Sequence, residues 1–298
     1  MPSSTFRLAL PSPAVWPWND RLERFAPLKA LTLVGLIAPG IWIIIQYCAA
    51  LLGPRVLNEM IHQTGDWAVR FIVVALAVTP LRHAGQWPKL ISLRRLIGLA
   101  GLFYALWHLG LYAIDQSLDV ERIASEIILR IYLTIGFTAV LGLIALGLTS
   151  FDSIIRRMGA RQWGRLHKLV HIIAALAILH YFMQSKLDVS MPTFLLGCFV
   201  FLEICRILVW RRVKLGFIAL SLNAIASAML TALLESGWYG IATRIKMLAV
   251  LQADFSLKMG LRPAWWVLIA GLAFAILGGV RLWMKERERL NVRAMRQV

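Results

Sequence analysis

Charged residues are scarce in this chain: Asp, Glu, Lys and Arg make up 16% of its 298 residues, whereas soluble globular domains carry about 25%. Hydrophobic residues make up 59%, and the mean hydropathy is +0.71. This composition excludes an ordinary soluble enzyme, and it excludes a disordered chain, which needs low hydrophobicity. The sequence therefore predicts an all-α, polytopic membrane protein.

Cysteine is also scarce, with only Cys48, Cys198 and Cys205 present, all within apolar stretches. No C-x-x-C pair occurs, which argues against zinc and iron–sulfur sites. The absence of C-x-x-C-H excludes a covalently attached c-type haem. We interpret the three cysteines as small apolar side chains of membrane helices.

Eight apolar stretches are each close to the ~20 residues that a helix needs to cross a bilayer. The predicted spans are 30–52, 67–81, 96–114, 127–149, 166–183, 192–210, 215–234 and 264–284. The second is the shortest, and the polar stretch 53–66 before it is predicted to be a turn. Residues 240–259 are too charged to span and are predicted to form an amphipathic helix at the membrane interface.

Positive charge is distributed on one side of these spans. With the N-terminus placed in the cytoplasm, the whole surplus of +17 falls on cytoplasmic segments, and the opposite segments sum to zero. This is the positive-inside pattern of membrane proteins. It predicts that both termini are cytoplasmic, and it removes the need for a nucleic-acid partner.

Four of the six histidines lie in or at the ends of apolar stretches: His108, His167, His171 and His180. Ionisable groups inside a membrane are costly and usually functional. At 1.5 Å per residue, His108 and His180 lie about 20 and 22 Å from the cytoplasmic edge, whereas His171 lies about 9 Å and His167 about 3 Å from it. Equal depth predicts that His108 and His180 are the two axial iron ligands of one b-type haem.

The cytoplasmic half offers a weaker cofactor pattern. His167 could serve a second haem or a flavin, with His171 on the same helix face as a weaker additional candidate. The third span carries Arg94 and Arg95 at that depth instead of a second histidine. With Arg165, these arginines could contact an anionic cofactor such as the FMN phosphate, although a positive-inside cluster explains them equally well.

Two further polar features lie near the span ends. Arg70 and Arg130 could pair with haem propionates, but ordinary snorkelling to the interface also accounts for them. Glu203 and Arg206 are three residues apart and are predicted to form a local ion pair.

Four stretches carry a resemblance to a known family: TGDWAVRFIVVALAVTPLR (64–82), RRLIGLAGLFYALWHLGLY (94–112), YLTIGFTAVLGLIALGLTS (132–150) and RQWGRLHKLVHIIAALAILHYFMQSK (161–186). Together they resemble the MsrQ (YedZ) family, the haem-binding membrane subunits of the periplasmic methionine-sulfoxide reductase system. That family is part of the ferric-reductase-like transmembrane superfamily. The resemblance covers about 30–214.

The resemblance implies a location and an organisation. It predicts a multi-pass protein of the bacterial inner membrane with a six-helix haem-binding core at 30–214. The polar stretch 1–29 is predicted to be a cytoplasmic tail, and 215–298 departs from the family as an extension that adds two helices and a basic tail. His108, His167 and His180 fall on the family's haem-linked positions. Leu129-Arg130-Ile131-Tyr132 stands where the family has a Lys-Arg-Pro-Tyr-like stretch, so no site is predicted there.

The resemblance also implies a function. The family is thought to take electrons from the quinone pool, with b-type haem and FMN as cofactors, and to pass them to a periplasmic molybdopterin reductase, MsrP, that repairs oxidised methionines. This chain would be a non-catalytic electron-transfer subunit. Two alternatives stay open: a cytochrome b anchor of another oxidoreductase, and a proton-coupled transporter. No glycine-rich Rossmann turn follows residue 214, so the chain is predicted to lack a nicotinamide site.

Overall fold

The computed structural model describes residues 18–19, 25–185, 188–256 and 260–295, and their regular structure is helical apart from one isolated bridge between Asn19 and Phe25. The α-helices are α1 (Pro27–Cys48), α2 (Val56–Ala84), α3 (Ile91–Asp115), α4 (Val120–Leu129), α5 (Ile131–Leu148), α6 (Asp152–Met158), α7 (Ala160–Leu166), α8 (Val170–Gln184), α9 (Ser190–Trp210), α10 (Phe217–Thr243), α11 (Met247–Phe255) and α12 (Pro263–Met295). Short 3₁₀ turns, Pro88–Leu90 and His167–Leu169, precede α3 and α8.

Eight helical segments of the described chain are long and apolar enough to cross a membrane. They are Pro27–Cys48, Val56–Ala84, Pro88–Asp115, Ile131–Leu148, Ala160–Gln184, Ser190–Trp210, Phe217–Thr243 and Pro263–Arg287. The prediction of an all-α, polytopic membrane protein is therefore confirmed. Because successive spans run in opposite directions, we name the two ends by their residues: the basic end carries Arg94, Arg95 and Arg165, and the histidine end carries His108 and His180.

The second span differs from the sequence prediction. Helix α2 begins at Val56 and has 29 residues, so the predicted turn at 53–66 is mostly helical. Its polar residues face the interior of the bundle: Thr64 is fully buried, and its hydroxyl donates to the carbonyl of Met60 at 2.7 Å. His62 and Asp66 line a cavity. Polar residues that face a bundle interior do not interrupt a helix, although they lower its hydropathy.

Two short helices lie at the histidine end. Helix α4 occupies most of the predicted loop between the third and fourth spans, and the Asp119 side chain caps it by accepting from the backbone N–H of Arg122 at 3.0 Å. The predicted interfacial helix at 240–259 is instead divided between the end of α10 and α11. Asp254 on α11 is buried, so α11 packs into the protein rather than presenting all its charges to water.

Helices α10 and α12 pack on the rest of the bundle. The rings of Phe201 on α9 and Phe274 on α12 have centroids 5.4 Å apart, and the amide of Asn223 on α10 donates to the carbonyl of Phe201 at 3.0 Å. These contacts join α10 and α12 to the preceding helices, and the division at residue 214 stays a prediction. Most of the predicted tail at 1–29 lies outside the described residues.

Candidate functional site

His108 is fixed by the neighbouring helix α2. Its Nδ1 lies 2.8 Å from the carbonyl oxygen of Ile61. Helix α2 approaches closely because Gly65 has no side chain: a Cβ at that position would lie 2.9 Å from the same Nδ1. Since a carbonyl oxygen only accepts, Nδ1 of His108 carries the proton and Nε2 keeps a free lone pair.

His180 is held in the same way by a different pair of helices. Its Nδ1 on α8 lies 2.7 Å from the carbonyl oxygen of Tyr132, the second residue of α5. Gly136, one turn further along α5, gives the ring its space, because a Cβ there would lie 2.6 Å from Nδ1. The Nε2 lone pair of His180 is therefore also left free.

The two imidazoles face one another across a shared cavity. Their ring centroids are 6.3 Å apart, and both residues line a cavity of about 290 Å³. Two imidazoles that bind one metal ion from opposite sides through bonds of about 2 Å place their ring centres about 6 Å apart. The donor set, two neutral imidazoles with free Nε2 atoms, is the axial set that haem iron takes.

A bare metal ion fits this part of the protein less well. Among the described residues, no three His, Cys, Asp or Glu side chains converge on a point. Haem brings its own equatorial nitrogens, so two histidines are sufficient protein ligands. The residues present thus fit haem rather than a free ion.

The mouth of the cavity is polar and the interior is apolar. Ile72, Ala105, Leu143 and Ala177 line the deeper part, and Arg122, Glu126 and Arg130 line the mouth. Arg130 forms an ion pair with Glu126 at 2.8 Å and donates to the hydroxyl of Tyr132 at 3.2 Å. The hydrogen bond to Tyr132 raises the pKa of Arg130, so the mouth holds a permanent cation beside the residue whose carbonyl orients His180.

Arg70, the other arginine considered for a propionate, lies on α2. Its guanidinium is 3.7 Å from the Asp66 carboxylate and 4.8 Å from the centre of the Trp67 ring. Asp66 lines the cavity mouth, whereas Arg70 does not. Of the two arginines, Arg130 is therefore the better placed.

His167 lies apart from this pair, in the 3₁₀ turn at the basic end. Its ring stacks on Trp163 with centroids 4.1 Å apart, and its Nε2 is 3.3 Å from the hydroxyl of Thr149. The structure does not bring His167 into the cavity of His108 and His180. Its role at a second haem stays a prediction.

The three arginines predicted to contact an anionic cofactor also lie at the basic end. Arg95 forms an ion pair with Asp152 at 2.6 Å, and Arg165 is exposed. Arg94 lies close enough to Arg206 for their charges to interact. No single arrangement of the three around one ligand is evident, and their cofactor role stays a prediction.

His171 has a carboxylate partner that the sequence did not reveal. Its Nδ1 lies 2.7 Å from Oε1 of Glu203 on α9. The predicted pair of Glu203 and Arg206 is present, with Nε 3.3 Å from the same oxygen. Arg206 also donates to the carbonyl of Leu76 at 2.7 Å. His171 therefore belongs to a network that joins α2, α8 and α9.

Comparison with known proteins gives one family. Residues 64–178 match the model described as the ferric reductase like transmembrane component, a range that includes His108 and ends two residues before His180. No solved structure matches the chain.

Several curated relatives carry the name protein-methionine-sulfoxide reductase heme-binding subunit MsrQ. One from Polaromonas naphthalenivorans is 39% identical over 155 residues, which is 52% of this chain and 71% of the relative. One from Xanthomonas campestris pv. campestris is 38% identical over 185 residues, 62% of this chain and 84% of the relative. One from Rhodospirillum rubrum is 34% identical over 180 residues, 60% of this chain and 84% of the relative.

Proposed function

Since this chain belongs to the MsrQ family of haem-binding subunits, we propose that it is a membrane electron-transfer subunit that relays electrons to a separate methionine-sulfoxide reductase. The carriers are b-type haem between His108 and His180 and, at the basic end, FMN. The donor is the quinone pool. The acceptor is a periplasmic molybdopterin reductase of the MsrP kind, which repairs oxidised proteins of the cell envelope.

One observation carries the haem part of the proposal. The rings of His108 and His180 lie 6.3 Å apart in one cavity, and each Nδ1 is committed to a backbone carbonyl. Hydrogen bonds of this kind fix the tautomer and ring orientation of a metal-binding histidine. Haem iron bound there supplies one-electron redox chemistry. The chain has no C-x-x-C-H attachment motif, which excludes a covalent c-type haem; the b type follows the resemblance to the family.

The direction of transfer rests on charge. Positive-inside topology puts the basic end in the cytoplasm and both termini with it, in a bacterial inner membrane. His108 and His180 are then near the periplasmic surface, where a soluble partner can receive electrons. The cavity mouth with Arg122, Glu126 and Arg130 opens at this end, and we propose that Arg130 there pairs with the haem carboxylates.

The entry side is assigned to the basic end. Arg94, Arg95 and Arg165 supply positive charge for the phosphate of FMN, and His167 is the candidate ligand of a second haem. Both assignments follow the resemblance to the family. A purified protein that contains one haem and no flavin would contradict them without affecting the pair of His108 and His180.

Reconstitution tests the relay. Liposomes that contain the haem-loaded protein and a quinol should reduce methionine sulfoxide only when an MsrP-like reductase is added outside. His108→Ala and His180→Ala should lower that rate to background, whereas His83→Gln, at an exposed histidine of the basic end, should leave it unchanged. Sulfoxide reduction by this chain without any partner would contradict the relay.

A further inference from the structure

The network of His171, Glu203 and Arg206 is a polar feature of the spans that haem binding does not explain. Oε1 of Glu203 contacts both Nδ1 of His171 and Nε of Arg206. Arg206 also donates a hydrogen bond to the carbonyl of Leu76. Ionisable groups are expensive inside a bilayer and usually mark a substrate, ion or proton path. We therefore expect this network to have a functional role.

The orientation of His171 differs from that of the cavity histidines. His108 and His180 donate to neutral carbonyls, whereas Nδ1 of His171 meets a carboxylate. Nε2 of His171 contacts no hydrogen-bond partner among the described residues. An imidazole with one nitrogen held by a carboxylate and the other free is the arrangement of a general base, since the carboxylate stabilises the imidazolium that forms.

This base is partly exposed at the surface of the helical bundle. The side chains of His171 and Glu203 are 27% and 29% exposed, and the apolar neighbours Leu169 and Ile172 are exposed beside them. A proton donor that reaches such a flank must be soluble in lipid. His171 lies nine residues before His180, about 14 Å along α8, so the flank is close to the haem cavity without being part of it.

We propose that His171 and Glu203 form the proton-accepting part of a quinol oxidation site that opens to the lipid between α8 and α9. The proposal rests on the proposed function, which names the quinone pool as donor. A quinol is a lipid-soluble molecule that carries two hydroxyl groups and two transferable electrons. Its headgroup can donate a hydrogen bond to the free Nε2 of His171.

The chemistry balances in two steps. Oxidation of one quinol to one quinone breaks two O–H bonds and releases two protons and two electrons. The first proton goes to Nε2 of His171, and the imidazolium that results is stabilised by Glu203. The pair passes this proton to water at the basic end before it accepts the second. The first electron would go to the oxidised haem of the proposed function, and the second would follow once the acceptor reductase had taken the first from it.

Arg206 has a positioning role in this site. Its contacts with Glu203 and with the carbonyl of Leu76 hold the carboxylate toward His171. The carboxylate held in this way can stabilise the imidazolium that forms. Glu203→Gln should therefore remove the stabilising charge while preserving the shape of the network.

The first experiment separates proton acceptance from haem binding. Haem-loaded wild type, His171→Gln and Glu203→Gln are mixed with a quinol, and haem reduction is followed by stopped-flow absorbance. A positioned general base contributes about 10²–10⁴-fold in rate, so both variants should be reduced at least about 100-fold more slowly. Their dithionite-reduced spectra should equal that of wild type, which also shows that they fold, and His83→Gln should keep the wild-type rate.

Three results would overturn the proposal, and they have different meanings. Wild-type rates in both variants would refute this site alone. Loss of a haem band in His171→Gln would make His171 an iron ligand instead. Failure of quinol to reduce even the wild-type protein, while dithionite does, would refute the quinone donor of the proposed function and this site with it.

A second readout does not depend on electron transfer. A photoactivatable azido-quinone is added to the protein in lipid nanodiscs, and the labelled peptides are identified by mass spectrometry. The label should be found on α8 and α9 around His171 and Glu203, and excess unmodified quinone should prevent it. Labelling confined to other helices would overturn the proposal.

Discussion

Replacing Gly136 by alanine should disturb His180 while leaving every proposed iron ligand and every hydrogen-bonding side chain in the sequence. The added Cβ would lie 2.6 Å from Nδ1 of His180 and 2.8 Å from Cε1. Ordinary contact begins near 3.4 Å, so the ring has to retreat by about 0.8 Å, the difference between 3.4 and 2.6 Å. That movement directly opposes the 2.7 Å hydrogen bond to the carbonyl of Tyr132.

The size of the effect follows from these contacts. Overpacking a filled interior costs about 1–3 kcal/mol, and the strained hydrogen bond adds about 1 kcal/mol. Loss of an interaction that orients a metal-binding histidine usually weakens metal binding about 10–100-fold. Gly136→Ala should therefore bind haem about 10–100-fold more weakly. Gly65→Ala should have a smaller effect, because its Cβ would be 2.9 Å from His108.

The chain offers a matched control. Gly110 lies on α3 close to His108 in sequence, and a Cβ there would meet nothing within 4 Å. Gly110→Ala should keep full haem affinity, with helix stability raised by up to about 1 kcal/mol. Haem titration of the apoprotein in detergent, followed at the Soret band, measures all three variants. Equal haem affinity in Gly136→Ala and Gly110→Ala would refute the geometry of this site.

Three further predictions concern the rest of the molecule. Arg262 pairs with Glu235 and Asp254, whose side chains are both fully buried. Arg262→Gln should destabilise the protein by about 3–5 kcal/mol, because two buried carboxylates lose their cation. An unchanged melting temperature in detergent would contradict this. A reporter active only in the periplasm should be active when fused after Gly260 and inactive when fused after Val298; the reverse pattern would refute the positive-inside topology. Arg130→Gln should weaken haem binding by several-fold and change the haem reduction potential, whereas equal titration curves would remove Arg130 from the haem site.

The number of spans could be predicted from the sequence because a bilayer imposes a length and a composition on each helix. The length of α2 could not, because Thr64 and Asp66 face other helices and resemble loop residues when only hydropathy is considered. Helix α4 was missed for a different reason: it carries no buried residue and is too short to span. Hydropathy describes what faces lipid and says little about what faces protein.

The candidate site was partly accessible to the same reasoning. A fixed helical rise places His108 and His180 at equal depth, and the structure has their rings 6.3 Å apart; their binding of iron stays a prediction. The carbonyls of Ile61 and Tyr132 could not be predicted, because every residue has a carbonyl. The partner of His171 depends on how α8 is aligned against α9. The spacing of residues along a single helix gives no information on that alignment. Gly136 carried a usable signal, since a glycine within a span often marks a close approach, whereas Gly65 fell in the stretch 53–66 that was predicted to be a turn.

The central claim is that one haem iron is bound by both His108 and His180. The most direct measurement is low-temperature electron paramagnetic resonance of the oxidised, haem-loaded protein, recorded for wild type, His108→Ala and His180→Ala. The claim predicts a low-spin ferric signal of bis-histidine haem in wild type that is lost in each single variant, while both variants remain in the membrane fraction. A low-spin signal that survives unchanged in either variant would contradict it.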